Sequence, residues 1–500
     1  MPNSVIEYLA ASAAAHPDKI AVQDEFGQIS FGGLLEAARR IAARLCAAVG
    51  ANAKKPVAVY MEKRWEALAA FLGIAYSGNI YSPMDIHSPD ERLERIFSVL
   101  EPALILSLKE KPFGRPGPQA FFQDLLAGPP GEAAEKARGA IIDTDPLYIL
   151  FTSGSTGLPK GVVISHRGVI DYTEWLRETF AFDAETVFGE QAPFHFDNSI
   201  LDIYSTLKNA AALVIVPERK FLFAGELLEY LAAKGVNTIF WVPSALVGVA
   251  NAPALQNAAR RPPLRRILFC GEVMPNKQLN VWRAAYPEAL FANLYGPTEI
   301  TDACSYYIVN RAFGDDEALP IGRACRNTEI LVLDEGDGLI SGPGEIGELC
   351  VRGAGLSPGY YKDRERTALA FVQNPLQNAY EEKIYRTGDL VRYNAYGELD
   401  YVGRKDFQIK HQGHRIELGE IETAAGALAG VRQSCAVYDA RQKMIVLFCA
   451  TDGSISEKGI FQNLGLRLPR YMLPARIRLS AALPLNQNGK IDRLILQKEI

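Results

Sequence analysis

The sequence lacks CxxC cysteine pairs, long apolar runs and a basic N-terminus. Its seven cysteines are scattered, so neither a zinc ribbon nor a disulfide scaffold is indicated, and unpaired thiols are typical of the reducing cytoplasm. No apolar run approaches the ~20 residues that cross a bilayer. The N-terminus does not have the basic start of a signal peptide. We therefore expect a cytoplasmic protein that does not insert into membranes.

Neither sign of charge dominates the sequence. There are 53 Lys and Arg residues against 58 Asp and Glu, which gives a formal net charge of −5. A slightly acidic chain without a basic block is a poor candidate for a nucleic-acid binder. Hydrophobic residues make up 48% of the chain and charged residues 22%, which is the balance of a folded globular protein and excludes disorder of the whole chain.

The first 300 residues alternate helical and strand patterns. Strand–helix–strand order favours a parallel sheet with crossover helices, and therefore an α/β fold. We interpret 109–119 and 126–140 as loops. Helices are predicted over 5–15, 31–49 and 65–77, and short strands over 54–61, 146–151, 212–217, 237–243 and 265–270.

The pattern changes after Glu299. Strands and turns over 321–353 and 385–404 predict a β subdomain, and an α+β pattern follows from about 407. At ~100–200 residues per domain, a chain of 500 residues holds several domains. We predict a large N-terminal α/β domain, 1–403, which ends in the β subdomain, and a small C-terminal α+β domain, 407–500.

The strongest local motif is a loop rich in glycine and hydroxyl residues. In YILFTSGSTGLPKGV (148–162) an apolar strand leads into the loop. Glycines bring backbone N–H groups close to an oxyanion, and hydroxyls and a lysine suit phosphate. The spacing does not match a Walker A loop. We predict a phosphate-binding loop made of Thr152, Ser153, Gly154, Ser155, Thr156, Gly157 and Lys160.

The ordered motifs of the chain resemble the adenylate-forming superfamily, which includes acyl-CoA synthetases, luciferases and adenylation domains of nonribosomal peptide synthetases. FDNS (196–199) resembles the segment whose aspartate receives a substrate α-ammonium, so the amino-acid-activating branch is the most similar, and stand-alone D-alanine–carrier protein ligases in particular. Beside the glycine-rich loop, the resemblance rests on APFHFDNSILDIY (192–204), LFCGE (268–272), NLYGPTE (293–299), YRTGDL (385–390), GRKDFQIKHQGHRIELGEIE (403–422) and PLNQNGKIDR (484–493).

The resemblance implies two half-reactions. A carboxylate attacks the α-phosphate of ATP to give an acyl-adenylate and pyrophosphate, and a thiol then displaces AMP to give a thioester. Catalysis would come from positioning and charge stabilisation at phosphate. Glu299 would coordinate Mg²⁺, which prefers few carboxylates together with phosphate oxygens. ATP would further be held by Asn293, Tyr295, Gly296, Thr298, Asp389 and Arg404.

A mobile lysine and a hinge are also implied by the resemblance alone. Lys490, in NGKIDR, would bridge ATP and the substrate carboxylate, and with Glu299 and Arg404 it completes the implied catalytic set. Residues 404–406 would form a hinge at Asp406, so that rotation of the C-terminal domain withdraws Lys490 between the two steps. We expect the site to lie between the two domains.

The acyl pocket is predicted by alignment of motifs. Asp197 would pair with the substrate ammonium, although an N-cap of the following helix is an alternative role. Asp302 departs from the expectation for an alanine site, since it could pair with a second amine, pair with a hydroxyl, or face solvent. The remaining pocket residues would be Asn198, Leu201, Trp241, Leu268, Cys270, Leu294 and Ala303.

The sequence ends ten residues after Lys490, so we expect the acceptor to be a separate carrier protein that supplies a phosphopantetheine thiol. The leading interpretation is a monomeric amino acid–carrier protein ligase for D-alanine or another small amino acid. An acyl- or aryl-CoA ligase of the same superfamily is the alternative, although it would leave Asp197 without an amine to bind. A third hypothesis is a catalytically silent nucleotide-binding protein, which intact Lys160, Glu299, Asp389 and Lys490 oppose.

Overall fold

A computed structural model of the chain describes residues 2–114, 117–154, 158–256, 261–485 and 491–500. By internal packing the chain divides into two units. The first comprises 1–85, 102–150 and 162–405, and the second comprises 86–101, 151–161 and 406–500.

The largest sheet has nine strands and is mostly parallel. Its central strands are short and buried on both faces, as is usual where crossover helices cover a parallel sheet. In spatial order its strands are β15 (Arg323–Ala324), β14 (Ser305–Ile308), β13 (Leu290–Tyr295), β12 (Arg266–Cys270), β11 (Thr238–Trp241), β9 (Val187–Glu190), β10 (Ala212–Ile215), β1 (Ile20–Gln23) and β2 (Gln28–Ser30).

A second sheet of seven strands carries the glycine-rich loop after one of its strands. Its order is β18 (Gly359–Tyr360), β8 (Lys160–Ser165), β7 (Pro146–Thr152), β4 (Ile80–Pro83), β3 (Pro56–Tyr60), β5 (Leu104–Ser107) and β6 (Gln119–Phe121).

The predicted β subdomain is a five-stranded antiparallel sheet made of β16 (Thr328–Leu333), β17 (Ile346–Gly353), β20 (Lys383–Tyr393), β19 (Phe371–Gln373) and β21 (Leu399–Arg404).

The described residues of the second unit form two small sheets. One is a hairpin of β22 (Gln408–His411) and β23 (His414–Glu417), and the other contains β24 (Val431–Asp439), β25 (Met444–Thr451) and β26 (Arg476–Ser480). Helix α13 (Leu418–Gly426) covers this second sheet through apolar residues of its buried face, including Ile421 and Ala425. The helices of the unit are α4 (Asp90–Leu100), α13 (Leu418–Gly426), α14 (Glu457–Gly465) and α15 (Arg493–Lys498).

Helices of the first unit pack on its parallel sheets. The hydroxyl oxygen of Ser30 caps α2 (Phe31–Ala48) by accepting from Gly33 N–H at 3.2 Å, and Ser165 caps α7 (His166–Phe180) in the same way through Gly168. These helices are α1 (Ile6–Ala15), α2 (Phe31–Ala48), α3 (Trp65–Tyr76), α5 (Phe122–Leu126), α6 (Glu132–Gly139), α7 (His166–Phe180), α8 (Ser199–Asn209), α9 (Ala224–Ala233), α10 (Pro243–Ala250), α11 (Asn276–Ala285) and α12 (Arg364–Ala370).

The α/β fold class is confirmed, and one local prediction is wrong. The segment 126–140, predicted as a loop, contains helix α6, whose Ala134 and Ala137 are buried. Helix α6 consists mainly of alanine, glutamate, lysine and arginine, which are strong helix formers. The prolines and glycine that precede it led to the prediction of a loop. No helix in the described ranges combines the length and the hydropathy needed to cross a bilayer.

Candidate active site

The first part of the glycine-rich loop is tied to the β22–β23 hairpin. Ser153 Oγ–H donates to the carbonyl of Arg415 at 2.8 Å and accepts from the backbone N–H of Glu417 at 3.2 Å. The Ser153 hydroxyl, predicted as a phosphate ligand, therefore also holds a hairpin of the second unit. The predicted residues Ser155, Thr156 and Gly157 lie outside the described residues, as does Lys490.

Three predicted nucleotide residues meet in the first unit. Tyr295 O–H donates to Asp389 Oδ2 at 2.5 Å, and Arg404 Nη1–H donates to Asp389 Oδ1 at 2.9 Å. The antiparallel register of β20 and β21 places Asp389 opposite Arg404. Burial raises the pKa of the Tyr295 phenol well above its ordinary range, and the charge of Asp389 adds to this. The phenol therefore stays protonated and orients the carboxylate.

The other predicted nucleotide residues lie along β13 and the turn that follows it. Asn293 is buried and its side-chain amide donates to the carbonyl of Pro320 at 2.9 Å. A Cβ on Gly296 would lie 2.4 Å from the carbonyl oxygen of Asp302, so only glycine fits beneath the turn. Thr298 and Glu299 begin that turn and are both buried.

Glu299 is the buried acid that would hold a metal ion. Its side chain is fully buried, and Tyr360 O–H donates to Glu299 Oε1 at 2.9 Å. Among the residues that the structure describes, no group of three His, Cys, Asp or Glu side chains is arranged to hold a metal ion. The carboxylate of Glu299 and the hydroxyl of the preceding residue, Thr298, are oxygen donors of the kind that suits Mg²⁺, which takes its other ligands from water and phosphate. Tyr360 was not predicted from the sequence, because the string GYY (359–361) gives no indication of a functional tyrosine.

The predicted acyl-pocket residues fall into two groups. Leu201, Leu268, Cys270, Leu294 and Ala303 all belong to one hydrophobic cluster of the first unit. Trp241 does not join them, because it packs in a different cluster, donates its indole N–H to the carbonyl of Gly189 at 2.7 Å and contacts Phe221.

The strand register explains why Trp241 is separated. In β11 and β12, Phe240 is paired with Leu268, whereas Trp241 is paired with Phe269. Side chains alternate between the faces of a strand, so Phe240 and not Trp241 shares the face of Leu268 and Cys270. Phe240 belongs to the same cluster as these two residues. The sequence could not show this, since 238–241 has no alternation of polar and apolar residues.

Polar groups accompany this apolar cluster. Asp197 is half-buried and lies just before α8, whose N-cap is Asn198. The side-chain nitrogen of Asn198 and the hydroxyl of Tyr148 are buried and have no hydrogen-bond partner within the described part of the chain. Buried polar groups are nearly always hydrogen-bonded in proteins. Both atoms are therefore available to a polar ligand.

Asp302 does not face solvent, because it is only 1% exposed. Its Oδ2 accepts a 2.6 Å hydrogen bond from the hydroxyl of Tyr172. Of the roles left open for it by the sequence, exposure to solvent is excluded. Tyr172, on α7, was missed because it lies on the apolar face of an ordinary amphipathic helix.

The fold and these motifs define an AMP-forming ligase, and the comparisons with known proteins name its family. Residues 9–361 match the model of the AMP-binding enzyme family, and the chain belongs to this family. Ligases of this kind use ATP.

Similar proteins are carrier protein ligases and adenylation proteins. Over the full length of both chains, the sequence is 32% identical to a D-alanine–D-alanyl carrier protein ligase of Lacticaseibacillus rhamnosus. It is 31% identical to an L-proline–[L-prolyl-carrier protein] ligase of Pseudomonas fluorescens, with 99% of each chain covered. The structure of holo-PA1221, an NRPS protein with adenylation and PCP domains, matches with a TM-score of 0.87 and 27% identity, over 100% of this chain and 84% of that one.

Proposed function

We propose that this protein activates an amino acid with ATP and transfers it to the phosphopantetheine thiol of a separate carrier protein. A substrate carboxylate oxygen attacks the α-phosphorus of ATP, and the bond to the pyrophosphate oxygen breaks. In the second step the carrier sulfur attacks the acyl carbon, loses its proton to solvent, and AMP leaves with the electron pair of the broken C–O bond. The proposed substrate is D-alanine or another small amino acid.

The observation that supports this proposal is a half-buried carboxylate beside a buried amide nitrogen, just before α8. Asp197 lies at the start of α8, next to Asn198 with its buried amide nitrogen. A half-buried carboxylate is the natural partner of an ammonium group. Phe240, Leu268, Cys270 and Leu294 would form the wall for a small side chain. The names of the carrier protein ligases above support the same substrate class.

Tyr295, Asp389 and Arg404 would hold the nucleotide. Asp389 accepts from both partners, yet a carboxylate has about four acceptor positions, so it retains capacity for the two ribose hydroxyls. Tyr295 would present its ring to adenine. Glu299 would hold Mg²⁺, which neutralises charge on the phosphates when bound. Lys160 and Lys490 would add positive charge at the α-phosphate, and Asp406 would be the hinge residue.

The acceptor decides between the two candidate ligases. The protein is incubated with ATP, Mg²⁺ and an amino acid, together with either a carrier protein that bears phosphopantetheine or CoA alone. We expect a thioester on the carrier, detected by intact-protein mass spectrometry, and none on a carrier that lacks the phosphopantetheine arm. A CoA thioester that forms efficiently without a carrier would favour the acyl-CoA ligase instead.

A further inference from the structure

The turn that carries Glu299 is fastened to the segment just before β18. The backbone N–H of Ser357 donates to the carbonyl of Glu299 at 2.8 Å, and Thr301 Oγ–H donates to the carbonyl of Gly355 at 2.8 Å. A Cβ on Gly355 would lie 2.8 Å from the carbonyl oxygen of Ile300, so only glycine allows the two backbones to approach this closely. The turn and the segment are therefore held together by two hydrogen bonds and one close backbone approach.

The same segment is joined to the strand that follows the glycine-rich loop. In the antiparallel pair of β18 and β8, Tyr360 lies opposite Val162. Ser357 Oγ–H donates to the carbonyl of Val163 at 2.6 Å. Strand β8 begins at Lys160, which is one of the predicted phosphate residues. The strand that carries Tyr360 is therefore paired with the strand that leaves the predicted phosphate loop.

The side chain of Tyr360 has little freedom to turn. The residue is 8% exposed, and its ring packs edge-on against Phe371, with 5.6 Å between the ring centroids and 71° between the ring planes. Its backbone N–H donates to Thr367 Oγ1 at 2.9 Å. The preceding residue, Gly359, has a φ angle of 131°, and a Cβ there would lie 2.5 Å from Thr367 Cγ2. The phenol therefore reaches Glu299 from one fixed direction.

A neutral donor suits a carboxylate that binds a cation. Tyr360 O–H donates to Glu299 Oε1 at 2.9 Å, and Glu299 is fully buried. The phenol occupies one of the roughly four acceptor positions of a carboxylate. An arginine or a lysine in its place would neutralise the carboxylate and repel a divalent cation. A phenol orients the carboxylate and leaves its negative charge in place, as the outer partners of metal ligands do.

We propose that Tyr360 is a positioning residue for the metal ion, because its phenol orients the carboxylate of Glu299 toward the Mg²⁺ that accompanies ATP. Through β18 and β8, the same tyrosine links this carboxylate to the strand after the phosphate loop. The cation and the phosphates bind together, so the carboxylate and the loop have to keep a fixed separation. This inference rests on the proposed function and identifies the residue that supports its metal ligand.

The test measures nucleotide binding without turnover. The probe is α,β-methylene-ATP, in which a CH₂ group replaces the oxygen that leaves with pyrophosphate, and its Kd is measured by isothermal titration calorimetry in Mg²⁺ and in EDTA. For Tyr360→Phe we expect Kd in Mg²⁺ to rise about 10- to 100-fold, the usual effect of losing an outer partner of a metal ligand. Kd in EDTA should be unchanged, because the phenol acts on the metal ligand and not on the nucleotide.

Mn²⁺ provides a direct readout of the metal. Electron paramagnetic resonance distinguishes free from bound Mn²⁺, and Tyr360→Phe should weaken Mn²⁺ binding in the presence of α,β-methylene-ATP. In a double-mutant cycle, Tyr360→Phe should have no further effect on Mn²⁺ affinity once Glu299→Gln is present. A merely structural role of Tyr360 would instead lower the free energy of unfolding and shift the Kd values in Mg²⁺ and in EDTA together.

The matched control is Tyr380→Phe. Tyr380 O–H also donates to a glutamate, Glu382 Oε1, at 3.0 Å, but Tyr380 is exposed, and this variant should leave both Kd values unchanged. Phe371→Leu is a second test, which also serves if Tyr360→Phe does not fold. It keeps the hydroxyl but removes the ring against which Tyr360 packs, so it should raise Kd in Mg²⁺ by a smaller factor.

The outcomes separate this proposal from the proposed function. An unchanged Kd in Mg²⁺ for Tyr360→Phe, or equal increases in Mg²⁺ and in EDTA, would overturn the role of Tyr360. If the wild-type protein binds the analogue equally well in Mg²⁺ and in EDTA, the metal role of Glu299 fails, and the role of Tyr360 fails with it. The proposed function is judged separately, by pyrophosphate exchange and carrier loading with the wild-type protein.

Discussion

Tyr295 and Arg404 each donate a hydrogen bond to a different carboxylate oxygen of Asp389, with donor–acceptor distances of 2.5 Å and 2.9 Å. Tyr295 lies 94 positions before Asp389 and Arg404 lies 15 positions after it, and β13, β20 and β21 bring the three residues together. Since Asp389 is 2% exposed, its orientation is fixed before any nucleotide binds. A fixed carboxylate loses little entropy when it accepts hydrogen bonds from a ligand.

Replacing Asp389 should therefore weaken nucleotide binding. Asp389→Asn keeps the volume but removes the charge and one acceptor group, and we expect KM for ATP to rise about 10- to 100-fold in pyrophosphate exchange. The control is Asp400→Asn on the adjacent β21, which should leave KM within about 2-fold. An unchanged KM for ATP in Asp389→Asn would contradict the assigned role.

Lys490 should matter for only one half-reaction. Lys490→Ala should slow adenylate formation by about 10²–10³-fold or more, as expected for the loss of a charge-stabilising donor. Transfer of a supplied aminoacyl-adenylate to the carrier should continue, as measured by thioester formation in a single turnover. Lys498→Ala, an exposed lysine of α15, is the control for general effects. Equal loss of both steps would rule out the moving-lysine scheme.

A buried ion pair should stabilise the second unit. Arg92 on α4 pairs with Glu420 on α13, and these residues are 5% and 1% exposed. Arg92→Ala would leave a buried carboxylate without this partner, at a cost of about 3–5 kcal/mol, measured by urea unfolding. Lys136→Ala, which removes an exposed pair with Glu132, should cost less than about 1 kcal/mol. Similar costs for the two variants would show that the buried pair contributes little.

Glu190 should make stability depend on pH. Burial raises its pKa from 4.5 to about 7, although the nearby charge of Lys63 lowers it. A carboxyl with a raised folded-state pKa stabilises the fold at pH values below 4.5, and this contribution is lost as pH rises through about 7. We expect the stability of Glu190→Gln relative to wild type to rise by about 2.5 kcal/mol from pH 5 to pH 8. Denaturant unfolding at the two pH values measures it, and a pH-independent difference would contradict the assignment.

The sequence predicted the fold class and the core strands well, because short apolar runs between helical patterns are typical of parallel sheets. The family motifs marked Tyr295, Asp389 and Arg404, which the structure brings together. The role of Lys490 and the hinge at Asp406 remain predictions.

Contacts between distant residues could not be predicted where no motif marks both of them. In β11 both faces are apolar, so only the register with β12 distinguishes Phe240 from Trp241. Tyr172 lies 130 positions before Asp302 in the sequence, and no motif connects them. Helix α6 was not predicted because the prolines and glycine just before it indicated a loop, although the helix itself is made of strong helix formers.

The most direct test of the account is whether the protein requires an α-amine on its substrate. Pyrophosphate exchange is measured for the wild-type protein and for Asp197→Ala, with amino acids and with acetate and benzoate. We predict exchange with an amino acid, none above background with the acids that lack an amine, and loss of the amino-acid activity in Asp197→Ala. Exchange confined to acetate or benzoate, unaffected by Asp197→Ala, would contradict the account and favour an acyl- or aryl-CoA ligase.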